Sequence, residues 1–213
     1  MKRRVSTRAR IVQTTLDLMW LNGFGSVTVD AICVGAQVQK GSFYHFFRSK
    51  QEVAAAALEA HWDAIQPDLD RIYGDKTVDP IQRIVRFFDN VHLRQLERSS
   101  RCGQVMGCPF LTLGTEVIKH ESVVSAKATE LMDRYCHYFE TALKEAQSNG
   151  DLQVGDFRLQ ASELYAFLAG GLVQARIRND AGILEQLSAH VRKTLVIRTP
   201  TPKNLKLGPA INH

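Results

Sequence analysis

Apolar residues recur at helical spacing along most of the chain. Between Thr7 and Asn22 they are Val12, Leu16, Met19 and Trp20, with Gly23 following as a left-handed stop. Thr28 is placed to cap a second, two-turn helix that buries Val29, Ile32, Cys33 and Ala36. After a turn at Gln37 and Val38, a third helix sets Phe43, Phe46 and Phe47 on one side and Gly41, Ser42, Tyr44 and His45 on the other. Ser49-Lys50-Gln51-Glu52 fits a capping box, so the next helix runs from 49 to 66, through the Ala54 to Ala57 run, and stops near Pro67. Asp79-Pro80 opens a helix to about Glu97 carrying Ile84, Phe87, Phe88 and Val91, and Ser99 to Gln104 reads as a loop. Ser122 to Asn149 makes one long helix with Val124, Leu131, Tyr135, Tyr138, Phe139 and Leu143, closed by Gly150. Two more helices, 157 to 178 and 183 to 197, follow, and with a helix that starts just after Cys108 the chain reads as all-α with about nine helices.

The order helix, short helix, tight turn, short helix at the start is a helix-turn-helix. All prolines lie at or after Pro67, so nothing breaks this first unit. The expected organisation is a three-helix DNA-binding domain at 1–48, an effector-binding and dimerisation domain at 49–197, and a proline-bearing disordered tail at 198–213. Charge sharpens the picture. The first 55 residues hold eight basic side chains against three acidic ones, whereas the remainder balances at nineteen of each. The net +5 therefore resides in the N-terminal quarter and favours a polyanion partner; a solvated basic tail at Lys2, Arg3 and Arg4 is the plainer alternative. Cys33, Cys102, Cys108 and Cys136 include no Cys-x-x-Cys pair and follow no signal sequence, which points to reducing cytosol. No apolar run is long enough to cross a bilayer, and there is no phosphate-binding or dinucleotide glycine loop. His45 has no partner at ligand spacing, so neither a metal nor a cofactor is expected, and no nucleophile–base pair argues for an enzyme.

Residues 7 to 60 resemble the N-terminal DNA-binding domain of the TetR family of bacterial transcriptional regulators. The resemblance is carried by Thr-Arg-Ala-Arg-Ile at 7 to 11, Asn-Gly-Phe at 22 to 24, Thr28, Ile32, and Lys-Gly-Ser-Phe-Tyr-His-Phe-Phe at 40 to 47 followed by Ser49-Lys50. It implies that Gln39, Lys40, Gly41 and Ser42 enter the major groove, that Tyr44, His45 and Lys50 meet the DNA backbone, and that Thr28 holds a phosphate. The residue chemistry agrees: small side chains at 41 and 42 allow close approach, and Gln39 and Lys40 offer hydrogen bonds to base edges or phosphates. Gln37 stands where the family commonly has glycine.

Met106-Gly107-Cys108-Pro109 resembles a Gly-Cys-Pro segment of one branch of TetR-type C-terminal domains, some of which sense electrophiles through a cysteine. Leu111, Thr112 and Leu113 replace the Gly-Asn-Leu often found there. A cysteine at a helix entry gains thiolate character from the helix dipole; equally, it is a small buried hydrophobe. Cys102 lies close enough in sequence to resolve an oxidised Cys108 if the loop folds back.

The resulting expectation is a homodimeric DNA-binding regulator, a repressor that grips a palindromic double-stranded operator and is released by a small-molecule effector. Redox or electrophile sensing through Cys108, and activation in place of repression, remain alternatives. Trp62, Phe87, Phe88, Phe110, Tyr135, Tyr138, Phe139 and Phe167 are the aromatic candidates for an effector pocket, with core packing as the competing role. The resemblance implies that the last two helices pair with those of a second chain, through the rows Leu164, Leu168, Gly171 and Ala175, and Leu184, Leu187, Val191 and Leu195; a monomer core would use the same rows.

Overall fold

The computed structural model describes residues 6–117 and 122–197. The basic residues Lys2, Arg3 and Arg4 and the proposed disordered tail at 198–213 lie outside the described residues. Among those described, the chain forms nine α-helices and no strand: α1 (Thr7–Asn22), α2 (Val29–Ala36), α3 (Lys40–Phe46), α4 (Lys50–Gly74), α5 (Pro80–Cys102), α6 (Pro109–Glu116), α7 (Val123–Ser148), α8 (Phe157–Arg178) and α9 (Gly182–Ile197).

Side chains placed to satisfy the free N–H groups start most of these helices. Ser6 accepts from the Ala9 N–H, Thr28 from Ala31, Asp79 from Ile81 and Gln82, and Asp156 from Leu159. At the head of α4, the Ser49 hydroxyl accepts from the Glu52 N–H at 3.1 Å while the Glu52 carboxylate accepts from the Arg48 N–H at 2.7 Å.

Two helix ends differ from expectation. α4 does not stop at Pro67 but continues to Gly74. Pro67 and Asp63, whose carbonyl loses its partner, both lie on the exposed face, open to solvent. Beyond the proline, Leu69, Ile72 and Tyr73 are buried and hold the final turns. α5 likewise runs past Glu97 through Ser99 to Cys102. The stop signal is Gly103, which takes φ 73° and returns its N–H to Ser99.

α1 packs on α2, α3, α4 and α6, making a small N-terminal unit seated on α4. α4, α5, α7, α8 and α9 form the larger bundle, with α6 wedged between α1 and α7. An aromatic seam fills the bundle: Phe87 and Phe88 from α5 meet Phe139 of α7 at ring separations of 5.3 and 6.0 Å. Glu59 of α4 clamps α7 from outside through Lys127 at 2.8 Å and Arg134 at 2.6 Å.

Candidate nucleic-acid interface and ligand cavity

α3 hangs from one side. Phe43 is fully buried and Phe47 nearly so, while Gln39, Lys40, Gly41, Tyr44 and His45 face outward and Ser42 is half-exposed. A side chain at Gly41 would meet nothing within 4 Å, so the fold itself does not demand glycine there. The turn before α3 depends on Gln37, which adopts φ 53°, ψ 53° and donates its N–H to the carbonyls of Cys33 and Val34. That left-handed conformation is the physical reason glycine suits the position. Thr28 is exposed at the head of α2, its oxygen occupied by the Ala31 N–H at 3.1 Å and its own hydroxyl proton free to donate outward. Lys40 pairs with Asp30 at 2.7 Å, but both side chains are more than half exposed, so the pair is weak and exchangeable.

Lys50, expected at the DNA backbone, has partners within the chain. Its ammonium donates to the carbonyls of Phe24 at 2.9 Å and Val27 at 3.0 Å, and lies 4.2 Å from the Phe24 ring centre. These bonds hold the α1–α2 turn against the start of α4.

The larger bundle contains a cavity walled by α1, α4, α5, α7, α8 and the Gly-Cys-Pro turn. Of the eight candidate aromatics, Phe87 and Tyr135 line it. Phe88, Phe110 and Phe139 are fully buried packing residues. Trp62 and Tyr138 border a groove between α4 and α7, with Arg134, and Phe167 lies against His190 between α8 and α9. The cavity's polar lining was not legible as such: His61, Arg94, Gln95, Arg98 and Tyr165. The available signal was register, since Arg94, Gln95 and Arg98 continue the apolar row of Phe87 and Val91 at helical spacing.

Gln95 clamps the Gly-Cys-Pro turn, donating to the Gly107 carbonyl at 2.9 Å and accepting from its N–H at 3.1 Å. Trp20, on α1, donates its indole N–H to the Met106 carbonyl at 2.9 Å, and its own carbonyl accepts from Arg176 of α8 at 3.1 Å. Arg176 also donates to Thr112 of α6. At the far end of α6, Glu116 accepts from the Gly25 N–H at 3.0 Å. One cavity wall is thus bonded directly to the N-terminal unit.

Burial, reinforced by the charges of Arg98 and Arg94, pushes the His61 imidazole down to about 3, so it is neutral at physiological pH. Burial also pushes the Cys108 thiol up to about 11, against the lowering effect of the Leu111 and Phe110 N–H groups at the head of α6. Of the two readings of this cysteine, burial supports the small buried hydrophobe, because desolvation outweighs the helix dipole. Cys108 is among the residues that line the cavity. Cys102 is exposed on the last turn of α5, and all four cysteines are free. Among the described residues no three His, Cys, Asp or Glu side chains gather as a metal site, and no helix is long and apolar enough to cross a membrane.

The rows assigned to a dimer contact also need correction. Leu168, Gly171, Ala175, Leu184, Leu187, Val191 and Leu195 are buried within the single chain and Leu164 is half-buried. A side chain at Gly171 would collide with Leu187, so this glycine sets the α8–α9 approach inside one molecule. The outward stripe of α8 is another one: Leu159, Ala166, Gly170, Val173 and Ile177, exposed and spaced by three, four or seven residues.

A three-helix unit whose third helix is buried on one side and open on the other, joined to a helical bundle with a cavity, has the architecture of a helix-turn-helix regulator. Residues 11–57 match the model of bacterial regulatory proteins of the tetR family, and residues 80–191 match the tetracyclin repressor-like C-terminal domain. The chain belongs to the TetR family of DNA-binding transcriptional regulators. It is 29% identical over 199 residues to the HTH-type transcriptional repressor NemR of Escherichia coli K12, covering 91% of this chain and 95% of that one. It is 26% identical to the transcriptional regulator AcuR of Cereibacter sphaeroides, over 89% and 85% of the two chains. The crystal structure of E. coli NemR in its reduced form superposes with a TM-score of 0.77 at 28% identity, over 88% of this chain and 95% of that one.

Proposed function

We propose that the protein is a homodimeric repressor that binds a palindromic operator and is released when a small molecule fills the cavity. The observation that carries the release is Trp20, which belongs to α1 of the DNA-reading unit and is also part of the cavity wall. A ligand there meets the DNA-reading unit directly, through Trp20 and the Met106 carbonyl, without first having to tilt α4. It shifts the equilibrium only by its difference in affinity between the two arrangements.

The proposed contact between copies is the outward α8 stripe, where Gly170 allows close helix approach. Gly170→Arg leaves the chain's own packing intact, since nothing lies within 4 Å of the position. In sedimentation the parent is expected at twice the 23.9 kDa of one chain and the variant at that mass, with operator affinity lost. A variant that stays dimeric and binds normally rejects this face. We place the division between the DNA-reading unit and the effector domain at about residue 48, where α3 has ended and α4, on which α1 sits, begins.

A second reading has its own support. Cys108 lines the same cavity, so an electrophile that enters meets the thiol even though its resting form is protonated. If alkylation triggers release, a maleimide frees operator from the parent but not from Cys108→Ser; equal release from both rejects it.

A further inference from the structure

The cavity contains hydrogen-bond donors without acceptors. Arg98 is half-buried, and among the described residues it has no carboxylate within ion-pair distance and no hydrogen-bond acceptor; its guanidinium lies 3.9 Å from the centre of the Trp20 ring. Asp17, the carboxylate whose field it feels, stands beyond contact. Arg94, by contrast, is already bonded to Asp68. Across the lining no acidic side chain appears. Tyr165 is 6% exposed, and its buried hydroxyl has no partner. A buried donor left unmet costs free energy that an incoming acceptor recovers.

We propose that the cavity's ligand is a small organic carboxylate: its head pairs with Arg98, its apolar body lies among Trp20, Phe87 and Tyr135, and an oxygen accepts from the Tyr165 hydroxyl. The cationic head group and flat apolar walls select against neutral polar molecules and against cations. The proposal rests on reading the cavity as the effector site and adds a route for the signal. A carboxylate that engages Arg98 competes with the stack on Trp20, and the indole of Trp20 is what bonds α1 to the Gly-Cys-Pro turn.

The test uses the full chain carrying Trp62→Phe, so that Trp20 is the reporting tryptophan. Propionate, 2-oxobutyrate and benzoate are titrated, each beside its amide, with operator binding measured in parallel. At least one acid is expected to change Trp20 emission saturably, with its amide binding roughly 10- to 100-fold more weakly. Arg98→Gln removes the preference for acid over amide, Arg98→Lys restores part of it, and Tyr165→Phe weakens the acid a few-fold. Equal binding of acid and amide, an Arg98→Gln variant that prefers the acid like the parent, or no saturable response to any acid overturns the proposal. An acid that binds through Arg98 yet leaves operator affinity unchanged upholds the carboxylate site and rejects release. A neutral amide that binds and frees operator does the reverse.

Discussion

The indole N–H of Trp20 donates to the carbonyl of Met106, 86 positions further along the chain. This bond joins the first helix of the DNA-reading unit to the turn that carries Cys108. Trp20→Phe keeps an aromatic ring but leaves the buried Met106 carbonyl without its donor. The expected cost is about 1 to 3 kcal/mol of stability, read from urea denaturation. The variant should also show a smaller difference in operator affinity with and without ligand. Full stability together with full ligand response would mean that the bond neither supports nor couples the two parts.

Lys50→Ala should act on folding more than on DNA contact. Its ammonium serves two carbonyls of the α1–α2 turn, so its removal is expected to cost about 1 to 3 kcal/mol. The slope of affinity against salt concentration should stay close to that of the parent, because no phosphate contact is lost. Lys40→Ala should do the opposite, lowering that slope by about one phosphate's worth with little change in stability. A shallower salt slope for Lys50→Ala at unchanged stability would return that lysine to the DNA backbone.

These cases mark what the amino-acid pattern disclosed. Helix identities and most caps were legible because spacing and capping chemistry are local. Pro67 misled because the cost of a helical proline depends on whether the orphaned Asp63 carbonyl faces water, which is a tertiary fact. The intrachain role of Lys50 was not legible because its partners, Phe24 and Val27, lie 26 and 23 positions away. The exposed face of α3 followed from the aromatic side that must be buried. The cavity did not, since Gln95 and Arg98 look like interruptions of an apolar row until the row is seen to border empty space. On α8 both faces carry apolar residues, and periodicity alone does not say which one turns inward.

Gln37 occupies a left-handed backbone position at a cost that glycine avoids. Gln37→Gly is expected to stabilise the protein by about 1 kcal/mol, less whatever entropy the unfolded chain regains. Gln37→Val, with a branched side chain at the same positive φ, should destabilise it. The ordering Gly above Gln above Val in thermal midpoint checks the turn; Val at or above Gln would mean that the turn has another conformation.

Stability should fall on the acid side through His61. Below about 6.5 the unfolded chain protonates this ring, whereas the native ring stays neutral until about 3. The unfolded state therefore binds the extra proton in that window, and stability drops as pH falls, by up to about 1.4 kcal/mol per unit. Above 6.5 both states are neutral and the contribution is absent. His61→Gln should flatten the dependence between pH 6.5 and 4 in urea titrations. Parallel profiles for parent and variant would show that the native ring takes up its proton as the free one does.

The central claim, a two-fold reader of DNA built on α3, is met most directly by selecting bound duplexes from a random pool. The parent should enrich an inverted repeat whose half-sites are centred about one helical turn apart, roughly 34 to 36 Å. The folded double variant Lys40→Ala, Tyr44→Ala should enrich nothing. Absence of an inverted repeat with the parent, or the same repeat recovered with the double variant, would contradict the account.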